Sequence, residues 1–360
     1  MMKKKMASAL SAVALMWLGS AAVAQQPAST PAPVWHAPSC QLNDGCNDCG
    51  GGFYGSASIL WLRPRWENNL AFTATSTIVD GANQFVNVTP TQFDYDARIN
   101  PRIVLGYSSC DGIGARVRWF QGWWSDSKAA VDPIGPQNNP ALSIASATPL
   151  GLQMTSFGSP DAPASVTSAS NLRLQVWDFE ATKNTKIGGL DITAAGGVRL
   201  LHMSQHYDMF ISTPGGAVFT DQALISDHSH NLVGPTAALE GRLPLGGGLA
   251  LFASGRVSLL FGDHRQSAIA LQFAPDLGFG TPLNFAGAAM TRDGLMPVTE
   301  LEIGGEWSTP MGNSELFVQG GFIGQVYYGA GNSSRAGNFA NESNSNLGLI
   351  GFSLNVGVRF

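Results

Sequence analysis

The sequence is poor in charge and, after its first segment, lacks a long apolar run. Charged residues make up 12% of the 360-residue chain, whereas soluble domains carry about 25%. No stretch after residue 24 offers the roughly 18 consecutive apolar residues that a transmembrane helix requires. A chain with this composition is expected to place its apolar side chains on strands that face lipid. Such strands satisfy every backbone hydrogen bond in hydrocarbon only when they close into a barrel.

Basic residues are also scarce, and part of them lies in a segment that is expected to be removed. Residues 1–24 carry three lysines within their first five positions, continue through an apolar run and end in Ala22-Val23-Ala24. This order is typical of a secretory signal peptide. Its cleavage removes three lysines and no carboxylate, so the net charge falls from −5 to −8. This negative net charge argues against a nucleic-acid partner.

The chain has only four cysteines, and three of them lie in one short segment. Residues 25–52, rich in Pro, Gln, Asn and Gly, are interpreted as a periplasmic lead-in that holds Cys40, Cys46 and Cys49. The fourth, Cys110, lies in a predicted periplasmic turn. Because the periplasm is oxidising, we predict one or two disulfides between the lead-in and the barrel base. Three pairings stay open, as do bridges to a second copy or to another envelope protein.

No cofactor or metal is predicted from this sequence. A metal site that combines His36 with the lead-in cysteines is disfavoured because their spacing matches no zinc pattern closely. Gly-rich pieces such as 50–52 and 246–248 do not join a strand to a helix, and we interpret them as turns.

Alternation of apolar and polar residues is the dominant pattern in the rest of the chain. The last fourteen residues, 347–360, alternate in this way and end on Phe360, which is typical of the closing strand of an outer-membrane barrel. The same alternation recurs over nine earlier segments: 53–63, 93–107, 113–123, 171–181, 190–202, 233–243, 249–261, 300–307 and 315–328. We therefore predict an all-β fold, a transmembrane antiparallel up-and-down barrel of about ten strands over 53–360. Further strands at 70–77 or 268–273 would make twelve.

The predicted connections alternate between long and short, as extracellular loops and periplasmic turns do in these barrels. The long ones are 64–92, 125–170, 203–229, 262–296 and 329–346, and the short ones lie near 108, 182, 245 and 310. Ten strands threaded in this way place outward aromatic residues in two girdles. One girdle holds Phe53, Tyr107, Trp307 and Phe360, and the other holds Trp61, Phe93, Tyr95, Trp123 and Tyr328.

Charged residues fall mainly on the inward faces of the predicted strands. Arginines dominate the earlier strands and glutamates the later ones, so we predict two opposed walls that screen solutes by charge and size. The predicted pore-lining residues are Arg98, Arg102, Arg116, Arg118, Arg173, Arg199, Glu240, Arg242, Arg256, Glu300, Glu302, Glu306 and Glu315, and Arg359 also faces inward. The alternative is that these charges pair and fill the lumen, because open channels are typical of 16–18 strands.

Two further function classes stay open. Several residues that hydrolases use cluster around the long connection 203–229, namely His202, His206, Asp208, Asp227, His228 and His230. Polar loops commonly hold such residues without catalysis, and we expect no enzymatic activity. The other alternative is a closed structural or adhesin-type barrel that acts through its long loops.

Four short segments resemble a known family. They read GSASILWLRP at 55–64, GIGARVRWF at 112–120, LQVWDFE at 174–180 and AGGVR at 195–199. They resemble the Legionella-type major outer membrane protein family, pore-forming barrels that also have relatives in planctomycetes. The resemblance implies a place in the bacterial outer membrane, in contact with its lipid and lipopolysaccharide. It also implies a porin-like function, passive diffusion of small hydrophilic solutes or ions.

Overall fold

The computed structural model describes residues 51–66, 69–80, 83–131, 141–147, 152–157, 165–212, 221–273, 282–333 and 345–360. The predicted signal peptide and the lead-in cysteines lie outside these ranges, so the predictions made for them stay predictions. None of the described residues forms a helix with the length and apolar character that a membrane crossing requires.

The described residues form fourteen strands. They are β1 (Gly52–Trp66), β2 (Leu70–Asp80), β3 (Asn83–Gln92), β4 (Arg98–Ser108), β5 (Ile113–Val131), β6 (Ala141–Ala147), β7 (Gln153–Phe157), β8 (Ser165–Ile187), β9 (Leu190–Ser212), β10 (Asp221–Gly246), β11 (Leu249–Phe273), β12 (Pro282–Met311), β13 (Ser314–Tyr327) and β14 (Leu347–Arg359).

Ten of these strands close into one barrel. Its order is β1-β14-β13-β12-β11-β10-β9-β8-β5-β4, and every pair is antiparallel. The last strand closes on the first, with Trp61 opposite Phe352 and Tyr54 opposite Arg359. The Phe360 amide adds a hydrogen bond of 2.9 Å to the Phe53 carbonyl. The predicted ten-stranded barrel and its closing strand are therefore confirmed.

The other four strands form a separate sheet in the order β3-β2-β6-β7. This sheet comes from two of the predicted long loops, 64–92 and 125–170. The segment 70–77 is therefore a strand but does not enlarge the barrel, and 268–273 is simply the end of β11. One contact between this sheet and the barrel is the hydrogen bond of 2.7 Å from the Tyr207 hydroxyl to the Ala71 carbonyl.

Two other predicted loops are wrong because the barrel strands are much longer than the sequence pattern indicated. β9 and β10 take up most of 203–229, and β11 and β12 take up most of 262–296. β12 alone has 30 residues, whereas a tilted strand crosses a bilayer in about 9–11. The barrel wall therefore continues well beyond the membrane.

The apolar face changes side along several of the long strands, most clearly on β8 and β9. On β11, exposed apolar residues face outward from Leu249 to Phe261, and we call the ring at this level the membrane belt. Representative members from nine barrel strands are Ile59, Leu105, Phe179, Val198, Leu239, Val257, Leu301, Phe322 and Leu354. Beyond the belt, at the end with the long connections, apolar residues turn inward. Lipid outside the belt and water outside the rest of the wall explain the change.

The inward apolar residues form what we call the upper core. Its buried members include Leu172, Leu174, Val176, Leu201, Met203, Tyr207, Met209, Ile211, Leu224 and Leu232. Phe93 and Tyr95 belong to it as well, with 5% and 3% of their surface exposed. Their assignment to the outer aromatic girdle was therefore wrong. The ring of Phe93 packs edge-on against Tyr207 at 6.0 Å between centroids, because this part of the barrel is filled rather than lipid-facing.

The Gly-rich turn between β10 and β11 requires glycine for its backbone. Gly247 has a φ of 64°, and a Cβ added there meets nothing within 4 Å. We expect Gly247→Ala to lower the free energy of unfolding by about 1–2 kcal/mol through backbone strain alone. The measurement is urea-induced unfolding of the refolded protein in lipid vesicles. Gly255→Ala is the control, since Gly255 lies outside the left-handed region and its added Cβ also meets nothing. Equal effects at both positions would contradict the assignment.

Candidate functional site

Inside the membrane belt, charged side chains from opposite walls of the barrel meet directly. Arg102 on β4 donates to both carboxylate oxygens of Glu302 on β12, at 2.7 and 3.0 Å. Three strands separate β4 from β12 along the shorter arc of the barrel, so this pair spans the lumen. Both residues are buried.

A second group of ion pairs lies around Arg199. Its guanidinium donates to both oxygens of Asp178 on the neighbouring strand, at 2.6 and 2.9 Å. Arg118 donates to Glu300 across the lumen, and Gln325 donates to the same carboxylate at 3.2 Å. All five side chains are buried. Bidentate pairs of this kind have a fixed geometry and hold neighbouring strands in place.

A third group is centred on Glu180. Arg116 and Arg256 both donate to this carboxylate. Arg116 also reaches both oxygens of Glu240, at 3.0 and 2.5 Å. Glu180 thus accepts from β5 and β11, which do not pair with each other in the sheet. Arg116 and Glu180 lie opposite each other on neighbouring strands, whereas the contacts Arg256–Glu180 and Arg116–Glu240 each reach past two intervening strands.

Nearest the short turns, a fourth group is more open to solvent. Glu306 accepts from Arg242 at 2.7 Å and from Arg359 at 3.0 Å. Arg242 also contacts Asp191, and Arg359 also contacts Glu315. The side chain of Glu315 is 36% exposed. At the end of the barrel with the short turns, the charge network is therefore partly accessible to solvent.

Most of the charged residues singled out from the sequence face inward. Those with an observed place in the network are Arg102, Arg116, Arg118, Arg199, Glu240, Arg242, Arg256, Glu300, Glu302, Glu306 and Glu315. Arg98 is instead exposed at the upper end of β4, where it donates to the Ser125 hydroxyl at 3.0 Å.

Arg173 is a wrong assignment. It is exposed on the outward face of β8, while its neighbours Leu172 and Leu174 are buried inside. The physical reason is that this part of β8 lies beyond the membrane belt, where apolar residues face inward and polar residues face water.

Asp178 and Glu180 are buried network carboxylates that are absent from the predicted pore-lining residues. With Arg173 assigned to the inward face, Leu172, Leu174 and Val176 fell on the outward face, and Asp178 and Glu180 share their spacing. In the structure all five share the inward face of β8. The sequence already showed these five residues at a regular spacing of two. The error was to assign that face of the strand to the outside of the barrel.

The lumen is closed at two levels in the described part of the chain. In the charge network Arg199 is 1% exposed and Glu300 is 8% exposed, whereas side chains that line a water-filled channel would be wet. Above this network the upper core fills the barrel with apolar side chains. The two predicted walls of opposite charge are therefore in contact, with their paired side chains buried among the described residues.

A short segment between β3 and β4 contributes to the upper closure. The Tyr95 hydroxyl lies 2.7 Å from the Ser170 hydroxyl, and burial raises the pKa of Tyr95 to about 12. Next to it, Asp94 accepts a hydrogen bond of 2.6 Å from Arg63, which lowers the pKa of Asp94. Tyr95 thus stays a neutral hydrogen-bonding member of the core, and Asp94 stays a carboxylate at the surface.

The candidate hydrolase residues do not form one site. His202, His206 and Asp227 face outward, whereas His228 and His230 are buried inside the barrel. His206 Nδ1 lies 2.7 Å from Asp227 Oδ1, an exposed pair on the outer surface. The proposed cluster was wrong because these residues lie on strands, where neighbouring positions point to opposite faces.

Cys110 lies in the turn between β4 and β5 and is exposed. This turn is at the same end of the barrel as the other short turns. A disulfide between Cys110 and the lead-in stays a prediction, because Cys40, Cys46 and Cys49 lie outside the described residues.

Comparisons with solved structures return outer-membrane barrels at low similarity. The outer membrane protease OmpT from Escherichia coli is 9% identical, with a TM-score of 0.38, over 86% of this chain and 96% of that chain. A FadL homologue from Pseudomonas aeruginosa is 8% identical, with a TM-score of 0.23, over 86% and 90%. Scores this low support no argument about function. A comparison with curated proteins found no match.

A comparison with family models gives a definite result. The model described as Legionella pneumophila major outer membrane protein precursor matches residues 51–360. This range contains every strand of the closed barrel, and it contains the short segments whose resemblance was noted above. The chain therefore belongs to the family of the Legionella pneumophila major outer membrane protein, and it is an outer-membrane β-barrel.

Proposed function

We propose that this protein is a closed outer-membrane barrel whose function lies in the part that projects beyond the membrane, as a structural or adhesin-type surface protein. The observation that carries this proposal is the double closure of the lumen, by the charge network inside the membrane belt and by the upper core above it.

The charge network supports a lumen that stays shut. Opening it for solutes would separate pairs such as Arg102–Glu302 and Arg118–Glu300, which hold opposite walls together. Each separated partner would need new solvation in a narrow barrel. Ten strands also enclose much less space than the 16–18 strands of typical aqueous channels.

The upper core supports a role at the surface. An apolar filling gives a diffusion channel no hydrophilic path, but it gives a rigid support to the wall and loops around it. The outward face at this level carries polar residues such as His202, Asp227 and Arg265. The separate sheet β3-β2-β6-β7 adds further surface. Binding residues are commonly presented by loops on such a scaffold.

A porin-like function is the second candidate, favoured by one specific observation. The inner wall at the membrane belt carries many charged and polar side chains, with a few apolar ones such as Ala238 and Phe317. Such a wall would select solutes by charge if a conformational change opened it. Enzymatic activity is not proposed, because the only histidine–carboxylate contacts among the described residues are those that His206 makes on the exposed outer surface.

Conductance of the refolded protein in a planar bilayer separates the two candidates. We expect folded, inserted wild-type protein to show no discrete conductance steps. The variant Glu300→Gln/Glu302→Gln removes two lumen carboxylates, and Asp263→Asn removes an exposed one outside the lumen as a control. Discrete steps whose ion selectivity shifts with the double variant, and not with the control, would overturn the closed barrel and support a porin.

A further inference from the structure

Three buried histidines meet inside the barrel just beyond the membrane belt. His228 and His230 are two residues apart on β10 and so share its inward face, and His264 lies directly opposite His230 on β11. They are 1%, 0% and 4% exposed. One ring nitrogen from each residue lies within 4.8 Å of those from the other two. This is a polar cluster at the side of the upper core.

The hydrogen bonds around the cluster leave several ring nitrogens with lone pairs. His230 Nε2 donates to the Ala330 carbonyl at 2.7 Å, so its Nδ1 carries a lone pair in the neutral ring. That Nδ1 faces the Nδ1 of His264 at 2.7 Å. Within the described part of the chain, His228 Nδ1 and His264 Nε2 are buried and have no hydrogen-bond partner. Packing alone does not explain such an arrangement, because unpartnered buried nitrogens destabilise a fold.

We propose that His228, His230 and His264 form a binding site for a divalent transition-metal ion of the zinc type. Three neutral imidazoles with a fourth position for water are a known Zn²⁺ coordination set, and imidazole also suits Cu²⁺ and Ni²⁺. Zn–N bonds of about 2.0–2.1 Å place ligand nitrogens roughly 3.3 Å apart in a tetrahedron. The observed separations, 2.7 Å between His230 Nδ1 and His264 Nδ1 and no more than 4.8 Å across the cluster, lie on either side of that spacing.

The surroundings resemble the outer hydrogen-bond shell of a metal site. A metal-binding histidine usually donates its other ring N–H to a carbonyl or carboxylate, which fixes the ring. His230 does so through Ala330. The side-chain nitrogen of Gln266 lies 3.3 Å from His228 Nε2, and a flip of this amide would present its oxygen as an acceptor for the N–H of that second ring. Both contacts hold the rings where they converge.

One charged group acts against a bound cation and provides a test. Arg292 on β12 lies opposite His264 in the register, and its charge acts on all three rings. It lowers the affinity for a cation without contributing a ligand atom. Arg292→Gln should therefore tighten metal binding, an effect that a purely structural histidine cluster would not show.

A bound metal would connect the upper parts of β10 and β11 to the segment 329–333 through Ala330. The site lies above the charge network and does not depend on whether the lumen conducts. The metal proposal and the closed-barrel proposal can therefore fail separately.

The test uses the full chain refolded with Zn²⁺ or Co²⁺ and then freed of unbound metal. We expect wild-type protein to retain about one metal ion per chain, with the intense visible absorption of tetrahedral Co²⁺. In His230→Gln and His264→Gln the metal affinity should fall by more than about 100-fold, the upper end of what loss of an outer-shell group costs. His202→Gln and His206→Gln, two outward-facing histidines from the same part of the barrel, serve as controls and should bind like wild type.

Folding of each variant is checked by its heat-modifiable mobility in gels. If a glutamine variant does not fold, the metal content and cobalt spectrum of wild type and of Arg292→Gln decide the matter. Folded wild-type protein without stoichiometric metal would overturn the proposal. So would metal that His230→Gln and His264→Gln retain, or weaker binding in Arg292→Gln.

Discussion

Replacing Arg199 by methionine is expected to lower the free energy of unfolding by about 3–5 kcal/mol. Arg199 is almost fully buried and donates to both oxygens of Asp178, with Glu300 3.8 Å away. Methionine fills much of the same volume but removes the bidentate partner of the buried Asp178 carboxylate and one of the two cations near Glu300. The measurement is urea-induced unfolding of the refolded protein in lipid vesicles, followed by tryptophan fluorescence.

Arg265→Met is the matched control for this experiment. Arg265 pairs with Asp263 at 3.1 Å, but both side chains are well exposed on the outer surface. Loss of such a pair should cost less than about 1 kcal/mol. A lumen filled with water would also screen Arg199 and reduce its effect. Similar losses for the two variants would therefore contradict the closed lumen.

Placing an arginine at Leu301 is the second substitution with a large expected effect. Leu301 lies opposite Gly255, halfway between the limits of the membrane belt on β11, and is 61% exposed on the outward face. A cationic side chain at the bilayer midplane costs about 2–4 kcal/mol in barrels of this kind. We expect Leu301→Arg to lower the free energy of unfolding in vesicles by this amount.

Leu251→Arg tests the depth dependence of the same effect. Leu251 also faces outward, but it lies close to the turn that ends β10 and begins β11. Near the interface the cost should fall to about 0–1 kcal/mol. Equal costs at Leu301 and Leu251, or none at either, would show that the membrane belt does not meet lipid as assigned.

Within the membrane belt, the sequence by itself was sufficient to predict the fold. Lipid outside and charged groups inside impose opposite polarities on alternate residues, as in 249–261 and in the closing segment 347–360. This pattern is local, so the inward and outward residues of each strand can be assigned from its own sequence, without information about the neighbouring strands. The strand count, the short turns near 108, 245 and 310 and most inward charges followed from it, whereas the turn predicted near 182 lies at 188–189 because β8 continues to Ile187.

Beyond the belt, the same alternation was present but its meaning was reversed. Residues 201–211 on β9 also alternate, with mainly apolar side chains inward and polar ones outward, apart from buried Gln205 and exposed Phe210. The sequence does not show at which residue the strand leaves the membrane. Residues 203–211 were therefore predicted to belong to a polar loop. The same reversal placed Arg173 inside and hid Asp178 and Glu180.

Contacts between distant residues were decided only by the tertiary structure. Arg102 and Glu302 are 200 positions apart, and no local pattern indicates that they meet. Likewise, His228, His230 and His264 converge because the long hairpin of β10 and β11 places them in register. Period-two alternation determines which face a side chain occupies. Barrel closure and strand register determine its partners, and so whether inward charges line a pore or close it.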